Sequence, residues 1–295
     1  MTSHTPQAPA EPNQTAEPDH AAAFGGRLAV ITGAGGGIGA GLARRAAALG
    51  MRVVVADIDE DAAAAVAGAL RADGAEAWAE HVDVRDPDAV ERLAENAFAR
   101  GPVGLLIGNA GVEHVGYAWD TSPGSWRRTW EVNVSGVFHG IRSFVPRMIA
   151  AGAPARIWNV ASIGAVSGMP MQAAYIATKH AVLGLTESLR MDVEQAGHPI
   201  EVAAVLPAPV ASRIFDDAEL TAEGDAAGAE RVRAMMSELL RDAQTPDDAA
   251  REIFRQGAAG QFYILPDEEF GIARFDVRAG RLQRREAPAA ARRAD

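Results

Sequence analysis

The chain has 295 residues, close to half of them apolar, with a formal charge of −11 and no cysteine. That length and apolar share suffice for one substantial core and do not call for a second domain. An acidic balance without a basic stretch in the folded region argues against a nucleic-acid partner, and a chain without cysteine has no disulfides, thiolate catalysis or Cys-ligated zinc; no metal site is expected.

Residues 1–23 are rich in Pro, Ala, Glu and Gln. They contain no run apolar enough for a signal core or a membrane span and are expected to be a disordered extension. Later apolar runs are short and broken by Gly, Pro or charge, so no membrane partner is expected and the reading is a soluble, cytoplasmic protein.

From residue 28 onward, short Val/Ile/Leu runs alternate with helix-period segments: 28–31 then 38–49, 52–56 then 61–72, 77–82 then 88–99, 103–107 then 130–149, 156–160 then 173–194. Runs at 200–206 and 261–265 complete the strands. Apolar strands that are continuous rather than alternating imply burial on both faces. The predicted fold is α/β, a single Rossmann-like, doubly wound parallel sheet with helices on both faces, over residues 24–277. Residues 278–295 interleave Arg with Ala and Pro and are expected to be a loose basic tail.

Thr32-Gly33-Ala34-Gly35-Gly36-Gly37-Ile38-Gly39 falls where the first strand turns into the first helix. A turn without side chains lets backbone approach a pyrophosphate, and the helix amides and dipole then favour the anion, so Gly33, Gly35, Gly36, Gly37, Ile38 and Gly39 are expected to bind a dinucleotide. The second strand ends at Asp57-Ile58, eighteen residues after Gly39. A carboxylate there accepts from both adenosine ribose hydroxyls and repels a 2′-phosphate, and no nearby arginine offsets it, so the expected cofactor is NAD (NADH/NAD+) over NADP. Asp83 and Val84, after the third strand, are placed at the adenine, as acceptor and packing face; a capping role for Asp83 before Pro87 is the alternative.

Lys179 is the only lysine among 28 basic residues, and it stands four positions after Tyr175, one of three tyrosines. Positions i and i+4 share a helix face. A phenol ionises only near pH ~10, and a fixed ammonium beside it, together with oxidised nicotinamide, favours the phenolate. Tyr175 is therefore expected to transfer the proton, with its ionisation brought down toward neutrality. Arginine, larger and planar, replaces such a compact charge poorly. Ser162 lies thirteen residues before Tyr175, at the carboxyl edge of the sheet, where it could hold the substrate oxygen. Asn133 sits inside an expected helix, where asparagine invites a specific reason such as binding a water.

Taken in order, Thr32-Gly33-x-x-x-Gly37-x-Gly39, Asn109-Ala110-Gly111, Asn133, Ser162 and Tyr175-x-x-x-Lys179 closely resemble the classical short-chain dehydrogenases/reductases over residues 27–215. The resemblance implies an NAD-dependent oxidoreductase interconverting a ketone and a secondary alcohol. It also implies that Asn133 helps hold Lys179 through a water, Ser162 orients substrate, Tyr175 is the general acid/base and Lys179 binds the nicotinamide ribose. By the same resemblance Asn109, Ala110 and Gly111 support the sheet beside the adenosine ribose, and the working unit is a homo-oligomer, a tetramer or dimer. Two departures stand out. Gly108 replaces the first Asn of Asn-Asn-Ala-Gly, and Pro207-Ala208-Pro209-Val210-Ala211-Ser212 replaces Pro-Gly-x-Val-x-Thr. Pro209 removes an amide donor from that turn, in which Pro207, Val210 and Ser212 are the expected cofactor contacts.

Residues 208–245 resemble the family's substrate lid. Ala165, Met169, Met171, Ile214 and Phe215, with Val112 and Val166, are expected to wall the substrate pocket beside Ser162. This points to an uncharged, hydrophobic carbonyl or alcohol, cyclic or aromatic. Glu113 and His114 follow the fourth strand and could meet a polar substrate group, exposed loop residues being the commoner explanation. Two alternatives are a non-redox lyase or epimerase with retained NAD, and an NAD-binding regulatory or scaffold protein.

Overall fold

A computed structural model of the chain describes residues 23–241 and 243–289. The extension expected over residues 1–23 lies, except for Ala23, outside the described residues, as do residues 290–295 of the expected tail.

Seven strands form one parallel sheet: β1 (Leu28–Thr32), β2 (Arg52–Asp57), β3 (Ala77–His81), β4 (Val103–Gly108), β6 (Ala155–Val160), β7 (Ile200–Val205) and β9 (Tyr263–Ile264). Their order is β3-β2-β1-β4-β6-β7-β9, so the winding reverses between β1 and β4, where Val30 is in register with Val54 on one side and Leu106 on the other. A crevice opens at the carboxyl ends of the strands at such a reversal. Every residue of β1 is buried, as a strand covered on both faces requires.

On one face α1 (Gly37–Ala48), α2 (Glu60–Ala72) and α8 (Pro246–Ala258) close over a core holding Leu42, Ala63 and Phe254, with Phe24, Trp158 and Phe254 meeting edge to face at 5.0–5.8 Å. Burying an aromatic side chain of this kind stabilises the fold by about 1.5–3 kcal/mol. On the other face α3 (Pro87–Arg100), α5 (Gly136–Ala151) and α6 (Ala173–Ala196) pack Leu93, Phe144, Met148 and Leu189 against the sheet. The doubly wound architecture read from the apolar periodicity is the one observed.

Most helices start on a side-chain oxygen. Asp59, Asp86 and Thr245 cap α2, α3 and α8, and Asp267 caps α9 (Glu268–Arg284). The cap before Pro87 is thus Asp86, which removes the alternative role of Asp83. Helices α1 and α6 are different: Gly36 and Gln172 precede them with no side-chain cap. Uncapped starts leave backbone amides free.

Several elements depart from the sequence reading. The helix expected over 130–149 is instead α4 (Pro123–Trp130), a π-helical turn over Glu131–Ser135, and α5. The tail expected from residue 278 is helical to Arg284: Asp267 caps α9 and no proline interrupts it before that point. Two short strands, β5 (His114–Val115) and β8 (Glu219–Leu220), pair in parallel and pin the expected lid segment to the turn after β4, and α7 (Ala226–Arg241) follows within that segment. Among the described residues, no helix is long and apolar enough to cross a membrane.

Candidate functional site

A cavity of about 930 Å³ lies at the carboxyl ends of the strands, bordered by the residues that follow β1, β2, β3, β4, β6 and β7. Its first wall is the glycine loop. Gly33 adopts φ 62°, and a Cβ there would stand 2.7 Å from the Ala110 Cα. A Cβ on Gly39 would collide with the Gly33 carbonyl oxygen, and one on Gly35 would stand 3.0 Å from the Asp57 carboxylate. These glycines are fixed by the protein's own packing. Among the described residues Gly36 has no atom within 4 Å of where a Cβ would stand, and it borders the cavity in front of the uncapped start of α1.

Asp57 holds this loop. Its carboxylate accepts from the Gly35 amide at 2.7 Å and the Asp59 amide at 3.0 Å, which leaves lone pairs for further donors. Asn109 ties the end of β4 to the same loop, its side-chain amide donating to the carbonyls of Thr32 and Gly33, both at 2.9 Å. The amides of Asn109 and Ala110 donate in turn to the Thr32 hydroxyl at 3.0 and 3.2 Å. Across the loop, the Ser212 Cβ lies 3.2 Å from the Cβ position of Gly37. Pro207, Val210, Ile58 and Val84 also border the cavity. Asp83 borders it too, but through an ion pair with Arg85 at 2.6 Å that holds its carboxyl below the usual range. The sequence reading placed Asp83 there without that partner.

The second wall carries the other group of residues. Ser162 follows β6 and Tyr175 and Lys179 project from α6, and all three border the cavity. The Lys179 ammonium donates to the Val160 carbonyl, the last of β6, at 3.1 Å and lies 5.5 Å from the Tyr175 ring centre. Burial brings Lys179 down to about 8, opposed by the negative charge of Glu113. Burial drives Tyr175 the other way, well above its ordinary value; Glu113 adds to the rise and the Ser162 hydroxyl counters it. The sequence reading expected a lowered phenol. Within the protein alone, loss of hydration at the phenol and the nearby Glu113 outweigh the Ser162 hydrogen bond that favours the phenolate.

Asn133 sits in the π-helical turn, a feature common at functional positions. Its carboxamide bonds both backbone groups of Val112, at 2.8 and 3.0 Å, and donates to the Thr178 hydroxyl at 3.0 Å. Thr178 donates to the Tyr175 carbonyl at 2.7 Å. Asn133 thereby links the turn after β4 to the first turns of α6. Gly111 passes close by, its Cβ position 3.4 Å from both the Asn133 oxygen and the Lys179 nitrogen.

Not every expected wall residue reaches the cavity. Met169, Ile214, Phe215 and Val112 do. Ala165 and Val166 instead pack with Val182 and Leu206 behind α6, and Met171 packs with Val115 and Met236 under the lid segment. Apolar residues at these spacings were read as pocket wall; the turn over Ile163–Val166 packs against α6, and the β5–β8 pairing draws Met171 into the core. Glu113 and His114, expected in solvent, are 2% and 1% exposed, because β5 continues directly from them and is covered by β8. Gln172 was missed, although it lies one helical turn before Tyr175 and borders the cavity. Leu239 and Leu240 of α7 also line it, a contact between segments too distant in sequence to be read from spacing.

The pattern of the short chain dehydrogenase family matches residues 27–223. A 1-deoxy-11-beta-hydroxypentalenate dehydrogenase of Streptomyces arenae is 36% identical over 248 residues, covering 82% of this chain and 83% of that protein. A short chain dehydrogenase/reductase of Burkholderia phymatum, solved in complex with NAD, superposes with a TM-score of 0.85 at 34% identity, covering 91% of this chain and 98% of that one. A 3-ketoacyl-(acyl-carrier-protein) reductase of Brucella melitensis, solved with NADH, gives 0.68 at 30% identity over 82% of this chain and 96% of that one.

Proposed function

This chain belongs to the short chain dehydrogenase family and is an oxidoreductase acting on CH–OH groups, and we propose that it uses NAD to interconvert a ketone and a secondary alcohol, with Tyr175 as general acid/base. The observation that carries the reading is the arrangement of the cavity: Tyr175, Lys179 and Ser162 border one end, and the glycine loop and Asp57 border the other.

The residues fit a dinucleotide. Gly36 offers an open backbone face, the start of α1 offers amides free of any side-chain cap, and Asp57 retains acceptor capacity at the end of β2. Asp57 is the basis for preferring NAD to NADP, since a carboxylate welcomes ribose hydroxyls and repels a phosphate. Ser212, Val210 and Asn109 complete the set of residues that would hold it. When bound, nicotinamide supplies the hydride acceptor or donor and, oxidised, a positive charge near the phenol.

In ketone reduction the Tyr175 hydroxyl gives its proton to the substrate oxygen, which Ser162 holds by a hydrogen bond. In alcohol oxidation Tyr175 must first lose that proton, and the Lys179 charge favours the phenolate that results. Asn133 positions this pair by tying α6 to the turn after β4. The segment over 208–245, pinned by β5–β8 and bringing Leu239 and Leu240 to the cavity, closes over substrate and excludes water. Met169, Ile214 and Phe215 suit an uncharged carbon frame, cyclic or aromatic.

The test is NADH and NADPH consumption by the purified protein over a panel of apolar ketones, beside Tyr175→Phe. NADH-selective turnover that disappears in the variant is the expected result. Retained turnover in Tyr175→Phe removes the assignment of the proton donor, and equal use of NADPH removes the cofactor preference.

A further inference from the structure

Two polar groups near Tyr175 have no part in the chemistry above. Glu113, in the turn after β4, is 2% exposed. Its Oε1 accepts from the His114 amide at 3.0 Å, and its Oε2 has no hydrogen-bond partner among the described residues. Gln172, the residue before α6, is 3% exposed, and its Nε2 likewise has none. Both residues border the cavity that holds Ser162 and Tyr175. Buried polar atoms without partners are few in folded proteins, because nothing offsets their lost hydration. Here an acceptor and an amide donor, brought from segments almost sixty residues apart, share one cavity.

The backbone that positions them is itself unusual. Gln172 follows Met171, whose φ of 63° lies in the left-handed region that a bulky side chain rarely adopts. The Met171 carbonyl accepts from the Gly116 amide at 2.8 Å, and Gly116 bridges to Gln172, so the start of α6 is tied to the strand that leaves Glu113. Strain of this kind persists where the surroundings over-determine it, and it gathers at ligand sites.

We propose that Glu113 and Gln172 form a second substrate anchor, which takes a hydroxyl group carried away from the reacting carbon and makes hydroxy-ketones and the matching diols the preferred substrates. A hydroxyl both donates and accepts, so it can pair with the free Glu113 carboxyl oxygen whether ionised or protonated and accept from the Gln172 amide N–H, the complement of the two unpartnered atoms. A C–H in its place leaves both unsatisfied, and a site built for a hydroxyl rejects such an analogue far more strongly than an apolar pocket rejects a missing methylene. Met169, Ile214 and Phe215 then hold the carbon frame between this anchor and Tyr175. The inference rests on the reading of this cavity as the place of ketone–alcohol redox chemistry.

The experiment compares NADH consumption by the full-length protein on tetralone and cyclohexanone with that on their mono-hydroxylated analogues. At least one hydroxylated isomer is expected to exceed its parent in kcat/KM by about tenfold or more. Glu113→Met and Gln172→Met keep side-chain length while removing the polar atoms, and each should bring that ratio toward one. The ratio is taken within each variant, so a general loss of activity cancels. Should Glu113→Met fail to fold, Gln172→Met decides alone. Equal turnover of parents and hydroxylated analogues by the unaltered protein overturns the anchor and leaves the redox reading standing, as does a ratio that survives in Gln172→Met. If NADH binds and no ketone of either kind is reduced, the redox reading fails and the anchor falls with it.

Discussion

At the glycine-loop end of the cavity the polar groups are already partnered inside the protein: Asp57 with two amides, Asn109 with two carbonyls, Thr32 with the start of the turn after β4. At the Tyr175 end, Glu113 Oε2 and Gln172 Nε2 have no partner among the described residues, and the buried Glu113 and Lys179 stand near the half-buried Tyr175. The first end is made of backbone and of missing side chains, so its shape is set when the sheet forms. The second is made of side chains from four separate segments and carries unbalanced polarity. On the proposed reading, rigid recognition belongs to the former, and chemistry and selectivity to the latter.

The largest effect that separates the two ends is expected from Tyr175→Phe. It should lower kcat by about 10²- to 10⁴-fold while NADH affinity, read by fluorescence titration, stays near that of the unaltered protein. A matching loss of affinity would mean that the ends are not independent. Gly39→Ala should act on the fold, since its Cβ collides with the Gly33 carbonyl oxygen; overpacking of this sort costs about 1–3 kcal/mol, read as a lower denaturant midpoint with NADH binding lost as well. Gly36→Ala meets no protein atom within 4 Å. Its midpoint should stay within about 0.5 kcal/mol of the original while NADH binding weakens, and unchanged binding would place the cofactor elsewhere. Asp57→Ala should reduce the preference for NADH over NADPH by about tenfold, measured as the ratio of kcat/KM values.

The smallest effect concerns pH and stability. Burial pushes the Glu113 carboxyl well above its ordinary value, with Lys179 opposing. A raised carboxyl holds a proton in the folded chain that the unfolded chain releases, so the stability it contributes is present in acid and is lost as pH rises. Thermal midpoints of Glu113→Met should therefore exceed those of the original protein at neutral pH, and the gap should close toward about pH 4. A gap that does not vary with pH would show that the Glu113 carboxyl ionises in the folded chain as it does in the unfolded one. Catalysis has its own pH signature: because burial raises the Tyr175 phenol, alcohol oxidation should climb through the alkaline range, while ketone reduction, which needs the protonated phenol, stays level at neutral pH.

The glycine loop, Asp57 and the Tyr175–Lys179 pair were legible because each is a local rule written in consecutive residues: a strand that must turn without side chains, a carboxylate at the next strand's end, two residues one helical turn apart. The parallel sheet was legible for the same reason, since continuous apolar strands alternating with helix-period segments have few ways to pack. What sequence could not supply was decided by contacts between distant segments. The pairing of β5 with β8 buries Glu113 and His114 and draws Met171 into the core. The π-helical turn sets Asn133 against Val112 and Thr178. The direction in which Tyr175 shifts depends on hydration lost to surroundings drawn from several segments, which no local spacing records, and that is why Tyr175 could be placed beside Lys179 from sequence while the direction of its shift could not.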